Sequence, residues 1–211
     1  FGTAGAGDLQ FNGPTDIAID SSDNVYIVDA TNQRIQKINS AGTVKLLEFP
    51  TSSSPVGMTV DSSGNIYVAD TGNDIVTKYN SAGVSQFVIT QGLFDDFSDV
   101  AVNSTGDIYV SAYASDNIGV FDSSGTPTST IGTSGTGTGQ FDGPYSIVID
   151  GDDNLYVADN ANFRIQKFNS SDVYDTSFGS LGSADGEMLL IYGIDVDADE
   201  NIYVTDIGNL D

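Results

Sequence analysis

Asp150-Gly-Asp-Asp-Asn-Leu-Tyr-Val-Ala-Asp159 is one of five copies of a ten-residue phrase that recurs through the chain; the others occupy residues 20–29, 61–70, 103–112 and 197–206. Its tyrosine gives the period, with steps of 41, 42, 47 and 47 residues between Tyr26, Tyr67, Tyr109, Tyr156 and Tyr203. Self-similarity at about 40–50 residues is typical of propeller blades with four strands each. The phrase therefore predicts an all-β fold, a β-propeller with four-stranded blades.

Each repeat contains four strand-length segments that together make one blade. In the first repeat, Asp16–Asp20 is predicted as the inner strand and Asn24–Asp29 as the second; both are almost wholly apolar because neighbouring blades cover both faces. Arg34–Ile38 alternates apolar and polar residues because the third strand approaches solvent. The predicted divisions are the end of a preceding blade with a crossover at 1–13, four complete blades at 14–49, 55–89, 97–131 and 144–178, and a partial blade at 191–211.

Charge excludes several classes of partner. The 211 residues include 6 Lys and Arg against 30 Asp and Glu, which gives a net charge of −24. Nucleic acids and anionic membrane surfaces are bound through basic residues, so neither is an expected partner. No apolar run approaches the roughly 18 residues of a membrane span, so no membrane insertion is expected. A cationic partner, divalent ions or a salty medium remain compatible with this acidic protein.

Two residue types that many active sites need are missing from the sequence. There is no Cys, which removes disulfides and thiolate sites, and no His, which removes the commonest general base and transition-metal ligand. We therefore expect a protein that is not an enzyme and that needs no cofactor.

A longer motif around the phrase resembles the NHL-repeat family of β-propellers. In blade four the crossover Gly137-Thr-Gly-Gln-Phe-Asp-Gly-Pro144, which matches residues 7–14, precedes the phrase, and Asn162, Arg164 and Ile165 follow it. Blade one matches nearly as well, whereas blade three has lost the Pro, the Asp and the Arg, which are replaced by Phe97, Ala112 and Asn117. The resemblance covers essentially the whole chain and implies a ring of six blades. We therefore expect a segment of a longer protein; the alternative is closure with five blades.

The residues that recur from blade to blade are predicted to be structural. The five tyrosines lie in mid-strand between Val, Ile or Leu neighbours, which favours burial between blades over an aromatic ligand cage. The pairs Asp29 with Arg34 and Asp159 with Arg164 could be read as an acid beside an electrophile. They are better explained as ion pairs that hold the loop between the second and third strands.

Two acidic stretches resemble the start of a calcium loop. Asp195–Asp199 and Asp150–Asp153 have alternate acids but lack the glycine at the sixth place. No metal site is expected, with Asp195, Asp197 and Asp199 as the weak candidates for Ca²⁺. Asp195 is the first residue to test as a ligand, because the same inner-strand position holds an uncharged residue in the other repeats, namely Ala18, Thr59, Ala101 and Val148.

The aromatic residues outside the repeat are the candidates for partner contacts. One face of a propeller collects the crossovers and the loops between second and third strands, and function is expected in side chains that the repeat does not require. On this loop face the sequence places Phe94, Tyr113, Phe163 and Tyr192, of which Phe163 and Tyr113 are the strongest candidates.

Two N-glycosylation sequons begin at Asn103 and Asn169, and both lie on predicted turns. If the protein is exported, both are candidate glycosylation sites of a glycoprotein. The alternative is chance occurrence in a chain that is rich in Asn, Ser and Thr.

These features favour a non-enzymatic interaction or structural module of an extracellular or cell-surface protein. It is expected to bind a protein or glycan partner through the loop face, or other domains or copies of its parent protein. Some propellers that it resembles are lyases or lactonases with metal sites in the central channel, so the alternative is a calcium-dependent lactonase with a central acidic site. RNA binding, known for some NHL propellers, uses a basic face that this composition forbids.

Overall fold

Antiparallel strands and tight turns make up nearly all regular structure in the computed structural model, which describes residues 1–90 and 94–208. The predicted all-β fold with four-stranded blades is confirmed: four sheets have four antiparallel strands each, and two shorter sheets have two. The chain divides into two compact units, Phe1–Gln91 and Gly92–Asp211. Within the described ranges, no helix is long and apolar enough to cross a membrane.

The first unit contains two complete blades after a short parallel pair in the crossover. That pair is β1 (Thr3–Ala4) with β2 (Gln10–Phe11). Blade one consists of β3 (Pro14–Ile19), β4 (Val25–Asp29), a 3-10 turn (Ala30–Asn32), β5 (Arg34–Ile38) and β6 (Lys45–Pro50). Blade two consists of β7 (Pro55–Val60), β8 (Ile66–Asp70), β9 (Ile75–Tyr79) and β10 (Ser85–Thr90).

The second unit contains two complete blades and a two-stranded partial blade. Blade three consists of β11 (Phe97–Val102), β12 (Ile108–Ala112), β13 (Asn117–Phe121) and β14 (Pro127–Ile131). Blade four consists of β15 (Pro144–Ile149), β16 (Leu155–Asp159), a 3-10 turn (Asn160–Asn162), β17 (Arg164–Phe168) and β18 (Tyr174–Phe178). The partial blade pairs β19 (Ile191–Val196) with β20 (Ile202–Asp206), and the end of the predicted 191–211 segment, residues 209–211, lies outside the described residues.

The inner strand of blade one begins at Pro14, two residues earlier than the sequence pattern predicts, because it starts with a β-bulge. In blade four Pro144 pairs with Asp159, and the register then shifts before Ile147 pairs with Val157. Proline is tolerated at a strand entry because its missing N–H costs no ladder bond there. The same shift occurs at the start of β3, β7, β11 and β19. A bulge re-aims the side chains within it, so the residue directly after the strand start is a natural place for a binding group.

The repeated phrase forms a hydrogen-bonded turn between the first two strands of each blade. In blade four Asp150 Oδ1 accepts the N–H groups of Asp152 (3.0 Å) and Asn154 (2.8 Å), and Oδ2 accepts the hydroxyl of Tyr156 (3.1 Å). Burial raises the pKa of the Asp150 carboxyl, but these hydrogen bonds outweigh it and leave the pKa below its usual value. Asp153 occupies the left-handed position of the turn with φ of 62°, a conformation that suits the glycine found there in two other copies, Gly64 and Gly106.

The core of each unit lies where adjacent blades meet. In the first unit Tyr26, Val28 and Ile35 of blade one pack with Met58 and Ile66 of blade two. In the second unit one cluster joins blade three to blade four, and another joins blade four to the partial blade. Full burial of an aliphatic or aromatic side chain contributes about 1.5–3 kcal/mol, so these contacts account for much of the stability.

The repeated tyrosines show how blade packing determines burial. Four are at most 6% exposed: Tyr26, Tyr67, Tyr109 and Tyr156. Tyr203 in the partial blade is 59% exposed, because within the described part of this unit no further blade covers the outer face of β20.

Candidate functional site

Three tyrosines stand side by side on the loop face of the second unit. The ring centroids of Tyr113 and Tyr145 are 6.1 Å apart with an interplanar angle of 87°, and those of Tyr145 and Tyr192 are 5.2 Å apart at 57°. Tyr113 is 39% exposed and Tyr192 is 47% exposed, while Tyr145 between them is half-buried. We call Tyr113, Tyr145 and Tyr192 the tyrosine row.

The bulges described above place two of these rings. Tyr145 and Tyr192 directly follow Pro144 and Ile191, the first residues of β15 and β19, so both lie within a register shift. Tyr113 follows β12, where its N–H donates to the backbone carbonyl of Asp96 (3.0 Å). The row is therefore assembled from the loop-face ends of three successive blades.

Close packing against backbone holds the Tyr113 ring in place. A Cβ atom on Gly143 would lie 2.8 Å from Tyr113 Cε2, so only a glycine lets the ring approach this closely. Gly143 has φ of 65°, and its N–H donates to Asp116 Oδ1 (2.8 Å), in the loop after Tyr113. The loops of blades three and four therefore fix one another beneath the row.

Acidic residues surround the central ring. Burial raises the pKa of Tyr145, and the neighbouring Tyr192, Asp99, Asp96 and then Tyr113 raise it further, because a phenolate beside carboxylates is unfavourable. The row therefore combines accessible aromatic faces with a locally negative potential.

Asp99 also joins the blades beneath the row. Its Oδ2 accepts the Ser146 hydroxyl (2.9 Å) and the Ile147 N–H (3.0 Å), and the Ser146 hydroxyl in turn accepts the Ile194 N–H (3.3 Å). Burial raises the pKa of Asp99 to about 6, although the hydrogen bonds from Ile147, Ser146 and Val100 oppose that shift. Three blades are thus linked through one carboxylate.

Two of the four predicted contact aromatics, Tyr113 and Tyr192, belong to the row, and two do not. Phe94 is 6% exposed and packs its ring against Phe97 (6.3 Å) and Phe121 (6.0 Å), so the expectation that it meets a partner is wrong. Phe163 is half-buried at the end of the 3-10 turn in blade four, where its backbone has φ of 57°. It occupies the left-handed position that Gln33 holds in blade one.

The predicted Asp–Arg pairs hold the crossovers as well as the loops. We call each pair, together with its hydrogen bonds to the crossover backbone, a clasp. Arg34 Nε lies 2.8 Å from Asp29 Oδ2, and its terminal nitrogen donates to the carbonyls of Gly7 and Gln10, both at 2.9 Å. Asp29 Oδ1 accepts the Asn12 N–H (2.7 Å). Burial raises the pKa of Asp29, but these donors and Arg34 outweigh it and lower the pKa.

Blade four repeats the clasp with nearly identical geometry. Arg164 Nε lies 2.7 Å from Asp159 Oδ2, and Arg164 Nη2 donates to the carbonyls of Gly137 and Gln140, both at 2.8 Å. Both carboxylates, of Asp29 and Asp159, are fully buried. This geometry uses the acid and the base to hold backbone and leaves neither pointing at a substrate.

Two of the candidate calcium acids, Asp195 and Asp197, accept backbone N–H groups that are close to them in sequence. Asp195 pairs with Tyr203 across the ladder, is exposed, and accepts the N–H of the next residue, Val196, at 2.8 Å. Asp197 Oδ1 accepts the N–H groups of Asp199 (3.0 Å) and Asn201 (2.9 Å). In residues 1–90 and 94–208 no three acidic side chains form a group that could hold a metal ion.

The two sequons differ in accessibility. Asn103 is half-buried and its side-chain amide donates to Asp107 Oδ2 (3.2 Å), in the turn between β11 and β12. Asn169 is exposed, and its Oδ1 accepts the N–H groups of Ser171 (3.0 Å) and Val173 (3.1 Å). Asn169 therefore presents the more accessible amide.

Solved structures with the same fold define the protein as a β-propeller. Hydrazine synthase from Kuenenia stuttgartiensis is 16% identical over 97% of this chain and 58% of its own, with a TM-score of 0.74. Virginiamycin B lyase from Staphylococcus aureus is 17% identical over 92% and 63%, with a TM-score of 0.69. A nidogen/laminin complex is 16% identical over 87% and 68%, also at 0.69. At these identities the likeness concerns the fold, and the chain spans less than two thirds of the first two structures.

The sequence repeats of three blades match one family model. The family model for the NHL repeat matches residues 11–38, 53–78 and 141–168, which lie in blades one, two and four. Three of its blades therefore carry NHL repeats, as the sequence motif predicted. No curated protein matches it significantly.

Sequence reasoning missed Tyr145 and Asp99. Tyr145 falls directly after a motif proline, at a position that holds Thr15 in blade one and Val56 in blade two. That variation within an otherwise regular motif is the signal that could have found it. Asp99 gave no such signal, because Asp16 stands at the same place in blade one.

Proposed function

We propose that the protein is a non-enzymatic interaction module of an exported or cell-surface protein, and that it binds a protein partner through the tyrosine row. The observation that carries the proposal is the alignment of three unrepeated aromatic rings, two of them well exposed, across neighbouring blades. Tyrosine is enriched in the centres of protein interfaces, where a few aromatic anchors supply most of the binding energy.

Two further observations support this reading. The solved nidogen/laminin complex is similar in fold, so a propeller of this kind takes part in a protein complex in that case. The exposed Asn169 sequon and a surface rich in Ser, Thr, Asn and Gly are typical of exported proteins. Other domains or further copies of the parent protein are included among the partners.

The proposal assigns no catalytic role. It is supported by the absence of His and Cys from the sequence and by the use of the clasp acids for backbone hydrogen bonds. The alternative, a calcium-dependent lactonase, requires Ca²⁺-dependent ring opening. We expect no turnover of a panel of aliphatic and aromatic lactones, with or without added CaCl₂; turnover that is abolished by a chelator would contradict the proposal.

Site-specific cross-linking tests the binding surface. The photoreactive residue p-benzoylphenylalanine is placed at position 113 or 192 in the row, or at position 174 on outer strand β18 as the matched control. Each variant is irradiated with the exported protein fraction of the source organism. We expect a discrete adduct from positions 113 and 192 that is absent from position 174.

The control makes the outcome decisive. Tyr174 is also a partly buried tyrosine of the second unit, with its ring 6.0 Å from Phe168, so its replacement samples the same fold away from the row. Adducts of equal yield at all three positions, or none at the row positions, overturn the proposed function.

A further inference from the structure

The chain already uses tyrosine rings to hold cations at buried positions. Lys37 Nζ lies 4.8 Å from the ring centroid of Tyr26 and 2.8 Å from Asp20 Oδ2. The same contact between ammonium and ring recurs at 5.0 Å in two other blades, with Lys78 over Tyr67 and Lys167 over Tyr156. A ring face attracts a cation through its quadrupole, and a carboxylate nearby adds a direct charge attraction.

The tyrosine row has the same combination of groups at the surface. Tyr145 lies between two other rings. Two acidic residues adjoin the row: Asp96 accepts the Tyr113 N–H on its backbone carbonyl (3.0 Å), and Asp99 Oδ2 accepts the hydroxyl of Ser146, the residue after Tyr145 (2.9 Å). The sequence has no Lys or Arg in residues 79–163 or 168–211, so the segments that form the row contribute no cation.

The basic residues elsewhere in the chain are already engaged. Every one of the six contacts an acid or an aromatic ring: Arg34 with Asp29 and Glu48, Lys37 with Asp20, Lys45 with Asp8 and Glu48, Lys78 with Tyr67, Arg164 with Asp159, and Lys167 with Tyr156. A cation that meets the row therefore comes from outside these 211 residues.

We propose that the tyrosine row binds the arginine or lysine side chains of an extended basic segment in a partner protein. This inference rests on the proposed function and names the chemistry of the partner. Arginine fits best, because its planar guanidinium stacks on aromatic faces and is weakly hydrated. The net charge of −24 steers a basic segment toward the protein. A neutral glycan also stacks on tyrosine but gains nothing from the negative charge of the protein.

A pair of synthetic peptides tests the proposal. One is a fluorescein-labelled, amidated peptide of alternating glycine and arginine; the other carries citrulline, which keeps the shape of arginine and removes its charge. Fluorescence anisotropy is measured at about 150 mM salt, where long-range attraction is largely screened. We expect the arginine peptide to bind at least tenfold more tightly than the citrulline peptide. The double variant Tyr113→Leu, Tyr192→Leu should bind it about tenfold more weakly than the wild type.

The variants separate recognition by the row from general attraction to an acidic protein. Tyr→Leu leaves the net charge unchanged, and Tyr174→Leu provides the matched control, which should bind within twofold of the wild type. Circular dichroism and thermal unfolding confirm that each variant is folded. Equal affinity of the wild type and the row variant for the arginine peptide overturns the proposal.

A glycan outcome is distinguished in the same assay. If a neutral glucose oligosaccharide binds the wild type but not the row variant, and the arginine peptide binds both equally, the row is a glycan site. That result overturns the proposal that a cationic side chain occupies the row. A cross-link from position 113 that arginine peptide does not compete away also overturns it, but leaves the proposed function standing. Failure of cross-linking at the row, in contrast, removes the proposed function itself.

Discussion

Two grooves on the loop face are built from the same repeat positions, one between blades one and two and the other between blades three and four. Their side chains differ in size and chemistry. In the first unit the groove has a volume of about 280 Å³ and is lined by small residues, Thr15, Ala30, Thr31, Ser53, Ser54, Pro55 and Val56. In the second unit Tyr113 stands at the position of Ala30 and Tyr145 at that of Val56. One groove is open and bears hydroxyl groups, and the other is filled by aromatic rings.

This difference separates scaffold from function. Both units use the same phrase turn, the same bulge and the same clasp, with distances that agree within about 0.1 Å between Arg34 and Arg164. The scaffold therefore tolerates either a small or a large side chain at the bulge. A residue at a position that the fold does not constrain is free to contact a partner. Only the second unit has aromatic residues at this position.

The largest expected effect tests whether the scaffold is the same in both units. Asp29→Ala and Asp159→Ala each remove the buried partner of an arginine and leave several N–H groups unsatisfied. We expect each to lower the free energy of unfolding by about 3–5 kcal/mol, measured by urea denaturation. Glu48 also pairs with Arg34, so the loss is expected to be the smaller of the two for Asp29→Ala. A larger loss there than for Asp159→Ala would contradict the prediction.

Blade two provides the matched control, because it has the acid without the arginine. Asp70 is fully buried and accepts the N–H groups of Ser54 (3.1 Å) and Asn73 (3.0 Å), while Asp74 stands near the position of the arginine. Asp70→Ala leaves unsatisfied donors but no unpaired guanidinium, so a smaller loss of about 1–3 kcal/mol is expected.

A smaller effect comes from the carboxylate under the row. Because the folded pKa of Asp99 is about 6, above the usual 3.8, the native state binds a proton more readily than the unfolded state. Stability is therefore expected to fall as pH rises from about 4 to 6, by roughly 1–3 kcal/mol. Denaturation of the wild type and Asp99→Asn across this range checks it, since the variant lacks this titration. Parallel profiles for the two proteins would show that the assignment is wrong.

The acids with lowered pKa values act in a different pH window. Asp29 and Asp150 contribute stability that is fully present above their unfolded pKa and is lost as pH falls through their lower folded values. Their contribution therefore declines only below about pH 4, so it does not obscure the change assigned to Asp99.

The fold was predictable because the same sequence pattern occurs in five copies. Period, strand alternation and turn residues all point to the same blade, and the strands differ from prediction mainly at their starts. Those differences come from bulges, in which one strand contains an extra residue, and alternation of side chains along a strand does not reveal such an insertion. Pro144 and its equivalents mark the bulges only once their pairing with the last Asp of the phrase is known.

The site was only partly predictable because its geometry depends on three blades that are distant in sequence. Tyr113 and Tyr192 were recognisable as unrepeated aromatics on the loop face. The same criterion selected Phe94, which the structure buries against Phe97 and Phe121, because position on a loop does not determine the direction of a side chain. The ring of Tyr145 became significant only through its distances to the two others.

Transplanting the rings into the first unit provides the smallest and most specific test of the comparison. The double variant Ala30→Tyr, Val56→Tyr places tyrosines at the positions of Tyr113 and Tyr145, in a groove whose 280 Å³ is open to receive them. Asp16 already stands at the position of Asp99, and like Asp99 it accepts an N–H from the next blade, that of Met58.

We expect this variant to bind a second equivalent of the arginine peptide, within about tenfold of the native affinity, since two rings replace three. Isothermal titration calorimetry measures the stoichiometry, and Ala30→Leu, Val56→Leu, which fills the groove without rings, should remain at one equivalent. A folded tyrosine variant that also stays at one equivalent would show that two rings beside an acid are insufficient, and that Tyr192 makes the second unit different.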